Sequence, residues 1–264
     1  MHFLERGSGT PLVVIHGFCV DHRLLLGLDP VLAARGGWRR IYLDLPGMGR
    51  SVAGPQLRSS DAVADALASF IRDTVGSASF ALLGNSYGGM LARHLAAEFG
   101  GQVLGLALLC PVAVAENSRR VLPPRSVLRQ DPALLASLVP EDAEAYAEMA
   151  VIQSAENWGL FRDSVLPGLR SFDRSAIGRI AGRYALSVEP EDRHEVFSGP
   201  TLIITGRQDH VVGFTDQAAL AERYPDSELV ILDRAGHNAH LDRPGAVAEL
   251  LDAWLRRMDN PQDS

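Results

Sequence analysis

Short apolar runs rich in β-branched residues recur along the chain, at 11–16 (PLVVIH), 40–44 (RIYLD), 79–83 (SFALL), 103–109 (VLGLALL), 201–205 (TLIIT) and 228–232 (ELVIL). Runs this short and this continuously apolar suit strands buried on both faces of a parallel sheet. Stretches with helical spacing lie between them. In 61–74 (DAVADALASFIRDT), Val63, Leu67, Phe70 and Ile71 recur at helical intervals. Alternating β and α elements imply an α/β fold with right-handed crossovers: a mostly parallel central sheet flanked by helices.

The rhythm breaks after Leu109. About ninety residues separate that run from the next, far more than a strand-to-helix connection needs. Helical patterns at 133–138, 143–153, 160–166 and 175–184 fill the gap. They are punctuated by prolines at 123, 124, 132, 140 and 167 and by glycines at 159 and 168. A helical segment inserted between two strands lies over their carboxyl ends, where ligands bind in such sheets. The expected organisation is a core at 1–111 and 199–264 with a helical cap at 112–198. Only the closing DNPQDS looks loose.

Composition narrows the function. The formal net charge is −7, and all 25 basic residues are arginine. The acidic balance and the lack of a basic cluster argue against a nucleic-acid partner. Without lysine there is no pyridoxal Schiff base, no P-loop lysine and no lysine general base. All-Arg, Ala-rich usage suggests a GC-rich bacterial genome. No apolar run approaches the roughly 18–20 residues that span a bilayer, and MHFLERGSGT lacks a signal peptide's apolar stretch. We therefore expect a cytoplasmic protein with no membrane partner. Cys19 and Cys110 lack metal-like spacing and read as small buried thiols. The histidines form no HExxH pattern, so no metal is expected.

The segment 84–89, GNSYGG, ends an apolar run and opens a helical one. A nucleophilic serine must be lifted clear of the sheet, and the sharp turn that does this crowds the backbone two residues to either side. Gly84 and Gly88 occupy those positions around Ser86. Such a serine is held at a strained positive φ, at a cost on the order of 1–3 kcal/mol. The helix N-terminus beneath it adds partial positive charge where negative charge develops. A glycine-rich turn without chemistry is the bland alternative, and placement between strand and helix favours the nucleophile.

Serine needs a base to accept its proton. The segment LDRAGHNAHLDRP (232–244) offers His237, directly after Gly236, with His240 as rival. The base needs a carboxylate, and TLIITGRQDHVVG places Asp209 just past a strand. Asp233 and Asp242 are the alternatives. The order Ser86, Asp209, His237 is that expected for a serine on a strand-turn-helix. The oxyanion donors are then the amide of Tyr87, which follows the serine, and that of Phe18 in the loop after the first strand. His16 reads as a buried histidine tying down that loop.

Together HGF (16–18), LDLPGMGRS (43–51), GNSYGG (84–89), GRQD (206–209) and AGHNAHLDRP (235–244) resemble the α/β-hydrolase superfamily in motif and in order. The resemblance implies a capped serine hydrolase, and the loop 44–51 reads as structural. GNSxGG with a helical cap is similar to the meta-cleavage product hydrolases, which break carbon–carbon bonds. Those carry a Gly-Pro-rich oxyanion loop and an aromatic residue after the histidine, where this chain has HGFCVDH and Asn238. HGF with DLPG is also similar to esterases, enol-lactonases and the serine lyase of menaquinone synthesis. An ester or lactone hydrolase is the preferred reading. Superfamily members that act as slow-turnover small-molecule sensors form an alternative of another class.

The expected chemistry is acyl transfer to water, with no cofactor. The partner is a small-molecule substrate, and the protein is a monomer or homodimer. Candidate pocket residues are Phe18, Met149, Ile152, Trp158, Phe161 and Leu166, although the cap members also suit helix packing. Arg125 and Arg129 are candidates for an anionic group.

Overall fold

The computed structural model describes residues 1–193 and 196–259; most of the DNPQDS segment, 260–264, lies outside the described residues. Seven strands form one sheet in the order β1-β3-β2-β4-β5-β6-β7. They are β1 (Phe3–Arg6), β2 (Thr10–Ile15), β3 (Trp38–Leu43), β4 (Phe80–Asn85), β5 (Val103–Leu109), β6 (Thr201–Gly206) and β7 (Ser227–Leu232). Every neighbouring pair is parallel except β1 with β3, where Phe3 lies opposite Leu43. All residues of β4 and β6 are buried, whereas edge strand β7 is half-exposed.

The edge strand β1, FLER, has no legible strand signal: it is short, charged and mostly exposed. Its pairing with β3 makes it a strand. The helix Ser60–Thr74 is opened by Ser59, whose Oγ accepts the Ala62 N–H at 3.2 Å. Val63, Ala64, Leu67, Ala68 and Ile71 form its buried stripe. Phe70 lies off that stripe, half-buried, with its ring edge-on to Phe3 at 5.2 Å.

Between β5 and β6 run the helices Pro132–Ser137, Pro140–Met149, Ala155–Ser164, Leu166–Leu169 and Arg174–Ala181. Each of the four helical patterns expected from the sequence finds a helix, but starts shift toward the amino terminus. Apolar spacing does not see a first turn built from proline and polar caps. Asp131 accepts from Leu134 N–H at 3.0 Å, and Ser154 from Asn157 N–H at 3.1 Å.

This insert is fastened to the loops and helices around the sheet at several points. Ser60 donates its N–H to Arg183 O at 3.0 Å and its hydroxyl to Tyr184 O at 2.6 Å. Asp173 N–H donates to Gly47 O at 2.8 Å. Gly168 leaves no room for a side chain, since a Cβ there would sit 2.6 Å from Val20 Cα. At the insert's two ends stands Arg93, on the helix Tyr87–Phe99. Its guanidinium grips Glu191 through two hydrogen bonds at 2.7 and 2.5 Å and reaches Val112 O at 2.8 Å. The Tyr224 hydroxyl donates to the same carboxylate.

Arg93 and Glu191 are both buried. Removing one charge strands the other, which costs about 3–5 kcal/mol. Glu191→Gln is therefore expected to lower the unfolding free energy by about 3 kcal/mol in urea titrations. Glu189, 3.7 Å from Arg93, is 55% exposed and compensates weakly. The double replacement Arg93→Met, Glu191→Leu is expected to cost less than the single one. Equal stability of Glu191→Gln and wild type would refute the account.

Candidate active site

The site stands at the carboxyl end of the sheet. Ser86, between β4 and the helix Tyr87–Phe99, has φ 54° and ψ −116°. A Cβ at Gly84 would lie 2.3 Å from Gly88 O, and one at Gly88 would lie 2.3 Å from Ile15 O. Both glycines are required by that bend, so the turn and the serine it presents are one device.

From Ser86 a continuous line of hydrogen bonds runs inward. Ser86 Oγ lies 2.9 Å from His237 Nε2, and His237 Nδ1 lies 2.9 Å from Asp209 Oδ2. A carboxylate can only accept, so Nδ1 carries the proton and Nε2 presents its lone pair to the serine hydroxyl. Asp209 is fully buried, and its Oδ1 accepts the Val211 and Val212 N–H groups at 2.9 and 3.0 Å. Those donors hold the carboxylate facing the imidazole.

The rival residues are engaged elsewhere. His240 sits in the short helix Ala239–Asp242, facing inward, with Nε2 donating to Leu24 O at 3.1 Å. Burial pushes its pKa down to about 4. Asp233 pairs with Arg207 at the surface. Asp242 accepts Gly236 N–H at 2.8 Å and Asn157 Nδ2–H at 3.1 Å, tying the insert to the loop that carries His237.

Burial, with a smaller contribution from the Asp209 charge, raises the Asp242 carboxyl from 3.8 to about 6. A raised carboxyl contributes stability that is complete below pH 3.8 and lost as pH rises through 6. Asp242→Asn cannot ionise. Its unfolding free energy relative to wild type is therefore expected to improve by up to about 3 kcal/mol between pH 4 and pH 7. A difference independent of pH would contradict this.

Phe18 follows Gly17, whose missing Cβ would lie 3.3 Å from Ser86 Cβ, so the loop lies against the serine turn. Among the described residues, neither the Phe18 nor the Tyr87 amide donates to a backbone carbonyl. The Phe18 ring meets Tyr87 and Tyr184 edge-on at 5.0 and 5.3 Å. His16 ties the loop down: Leu45 N–H donates to Nε2 at 2.9 Å, so Nδ1–H donates to Gly17 O at 2.7 Å. Burial lowers its pKa to about 4, in keeping with a neutral ring.

A cavity of about 710 Å³ opens over Ser86 and His237. Phe18 and Met149 line it, as do Val20, Leu24, Val165 and Leu169. The other expected pocket residues lie off its wall. Trp158 and Phe161 pack with Tyr146 at ring distances of 5.3 Å from it, Leu166 is buried in the core, and Ile152 bridges to Arg129. Helical spacing marks the buried face of a helix without saying whether a ligand or another helix covers it.

Arg125 and Arg129 are exposed away from the wall, where Arg120 stands instead. Arg120 donates to the carbonyls of Val114, Ala115 and Val211 at 2.8, 3.1 and 2.9 Å. Sequence reasoning missed Tyr184 on the cavity wall, and it read Cys110 as a small buried thiol, which it is, without seeing its place beside the site. Cys110 Sγ donates to Gly236 O at 3.6 Å beside Asp209 and His237, and burial raises its pKa well above the usual thiol range. Cys19 is half-buried.

The model of the alpha/beta hydrolase fold matches residues 10–244. The chain belongs to that family. It is 28% identical, over 97% of its length and 67% of the relative's, to the dihydrolipoyllysine-residue acetyltransferase component of the acetoin cleaving system of Pseudomonas putida. It is 27% identical to the pimeloyl-(acyl-carrier protein) methyl ester esterase of Aeromonas hydrophila, covering 94% of this chain and 96% of that one. A crystal structure of an alpha/beta superfamily hydrolase from Oenococcus oeni PSU-1 superposes with a TM-score of 0.88 at 32% identity, covering 97% and 96% of the two chains. Among the described residues no helix is long and apolar enough to cross a membrane.

Proposed function

We propose that the protein hydrolyses esters or lactones of small, largely apolar organic acids through Ser86, His237 and Asp209. The observation that carries this reading is the Asp209–His237–Ser86 line, at 2.9 Å per link, opening into a mainly apolar cavity. Ser86 Oγ attacks the carbonyl carbon as its proton passes to His237 Nε2. Asp209 stabilises the imidazolium. The amides of Phe18 and Tyr87 bind the oxyanion. His237 then protonates the departing alcohol, and the acyl group remains on Ser86. Water, deprotonated by His237, releases the acid and restores the serine. The segment 112–198 acts as the cap and, with Phe18, selects the acyl group. The esterase relative supports this chemistry by analogy.

The test is labelling by a fluorophosphonate, followed by turnover of chromogenic esters of graded acyl length. The label is expected on the peptide that contains Ser86, with multiple turnovers for short to medium acyl chains. Labelling without turnover of any ester or lactone would favour the sensor class instead.

A further inference from the structure

We infer that His22, held by Asp44, is a positioning residue for the oxyanion donor Phe18. This rests on the hydrolase reading above. Phe18 lies in segment 16–22 (HGFCVDH), which leaves β2 and has no regular structure until it reaches the helix Arg23–Leu26. Both ends of that segment are held by two consecutive residues at the exit of β3. At the front, Leu45 N–H donates to His16 Nε2 at 2.9 Å. At the back, Asp44 Oδ1 accepts His22 N–H at 3.0 Å and His22 Nδ1–H at 2.7 Å.

Asp44 is a saturated hub. Its Oδ2 accepts Arg50 N–H at 2.9 Å and His2 Nδ1–H at 2.8 Å, so each oxygen takes two donors. The atoms of His2, His22 and Asp44 that could ligate a cation lie within 4.8 Å of one another, but these bonds already occupy the carboxylate as an anchor. Burial pushes the carboxyl up. Hydrogen bonds from His22 and Arg50 outweigh it and hold the group well below the usual carboxylate range. The anchor is a fixed buried anion.

Between the two anchors the path has little slack. Cys19 takes a left-handed φ of 63°, and Gly17 passes the Ser86 turn with a would-be Cβ 2.9 Å from Asn85 Oδ1. An oxyanion donor acts only at close range on charge that appears in the transition state. Misplacement by about 1 Å can cost on the order of 10²-fold in rate. Loosening the His22 end therefore should lower kcat and leave KM nearly unchanged.

His2 supplies an internal control. It bonds the same carboxylate but belongs to the amino-terminal strand side, with its N–H on Ser51 Oγ at 2.8 Å and its carbonyl accepting Asp44 N–H at 2.9 Å. The experiment compares wild type, His22→Leu, His22→Asn and His2→Leu, using a p-nitrophenyl ester and amide hydrogen exchange of the 12–24 region. His22→Leu is expected to lose about tenfold or more in kcat, with KM within about twofold, and to exchange faster across 16–22. His22→Asn places an N–H where Nδ1 stood and is expected to recover most of the rate. His2→Leu is expected to lose thermal stability while keeping kcat and the slow exchange of 16–22.

If His22→Leu folds poorly, His22→Ala carries the same comparison. Unchanged kcat in His22→Leu, or an equal kcat loss in His2→Leu, overturns the inference while the hydrolase reading stands. If wild type turns over no ester or lactone, the hydrolase reading falls. Hydrogen exchange then still decides whether His22 holds the loop, and equal exchange in all variants would reject it.

Discussion

Ser86→Ala is expected to leave a folded protein with ester hydrolysis reduced by about 10⁴-fold or more. The fold should survive because the Ser86 side chain's hydrogen bond is the one to His237, and its backbone bonds do not involve Oγ. Ser86 N–H donates to Leu109 O at 3.0 Å, and Ser86 O accepts Val112 N–H at 3.0 Å. Alanine at φ 54° is strained much as serine is, so the cost of the bend is carried over rather than added. The chemistry has no substitute. Cys110, the nearby thiol, is fully buried and kept protonated by that burial. Residual turnover should come only from water and the oxyanion donors. Thermal melts check the fold, and undiminished hydrolysis by this variant would sink the proposed function.

What could be read from the residues divides by the range over which the physics acts. Strands buried on both faces announce themselves as apolar runs, and β4 and β6 show it: every residue of both is buried. The serine turn was legible for a related reason, since a bend so tight tolerates only glycine at 84 and 88, and glycine is visible in sequence. Edge strand β1 was not legible, because half its character comes from β3 alone. In the sequence, His237 is set apart from His240 only by adjacency to Gly236. What separates them in space is that the turn after Asn238 swings His240 inward to Leu24 O.

Long-range polar contacts left the least trace. Nothing near Arg93 in the chain points to Glu191, 98 positions away, and nothing near His22 points to Asp44. The helical insert between β5 and β6 is legible as an interruption of the strand rhythm, but its cavity-facing residues are not. Trp158 and Phe161 have the spacing of any buried helix face, and Tyr146 is what they meet.

Asp209→Asn is expected to cost about 10⁴-fold in kcat with little loss of stability. The replacement is isosteric, and the environment dictates how the amide must turn. Its oxygen is required by Val211 and Val212 N–H, which lie 2.9 and 3.0 Å from Asp209 Oδ1. Its NH₂ must then face His237 Nδ1, which can meet a donor only by giving up its own proton. The imidazole proton moves to Nε2, where the lone pair had faced Ser86 Oγ at 2.9 Å. The ring stays in place but holds the wrong tautomer to accept the serine proton. Asp242 cannot take over the role, because its oxygens are engaged by Gly236 N–H and Asn157. Fluorophosphonate labelling of Ser86 should slow in parallel with turnover, since both need the same deprotonation. Labelling and turnover at wild-type rates would mean that Asp209 holds the loop and nothing more, and the imidazole would then owe its orientation to the packing around it.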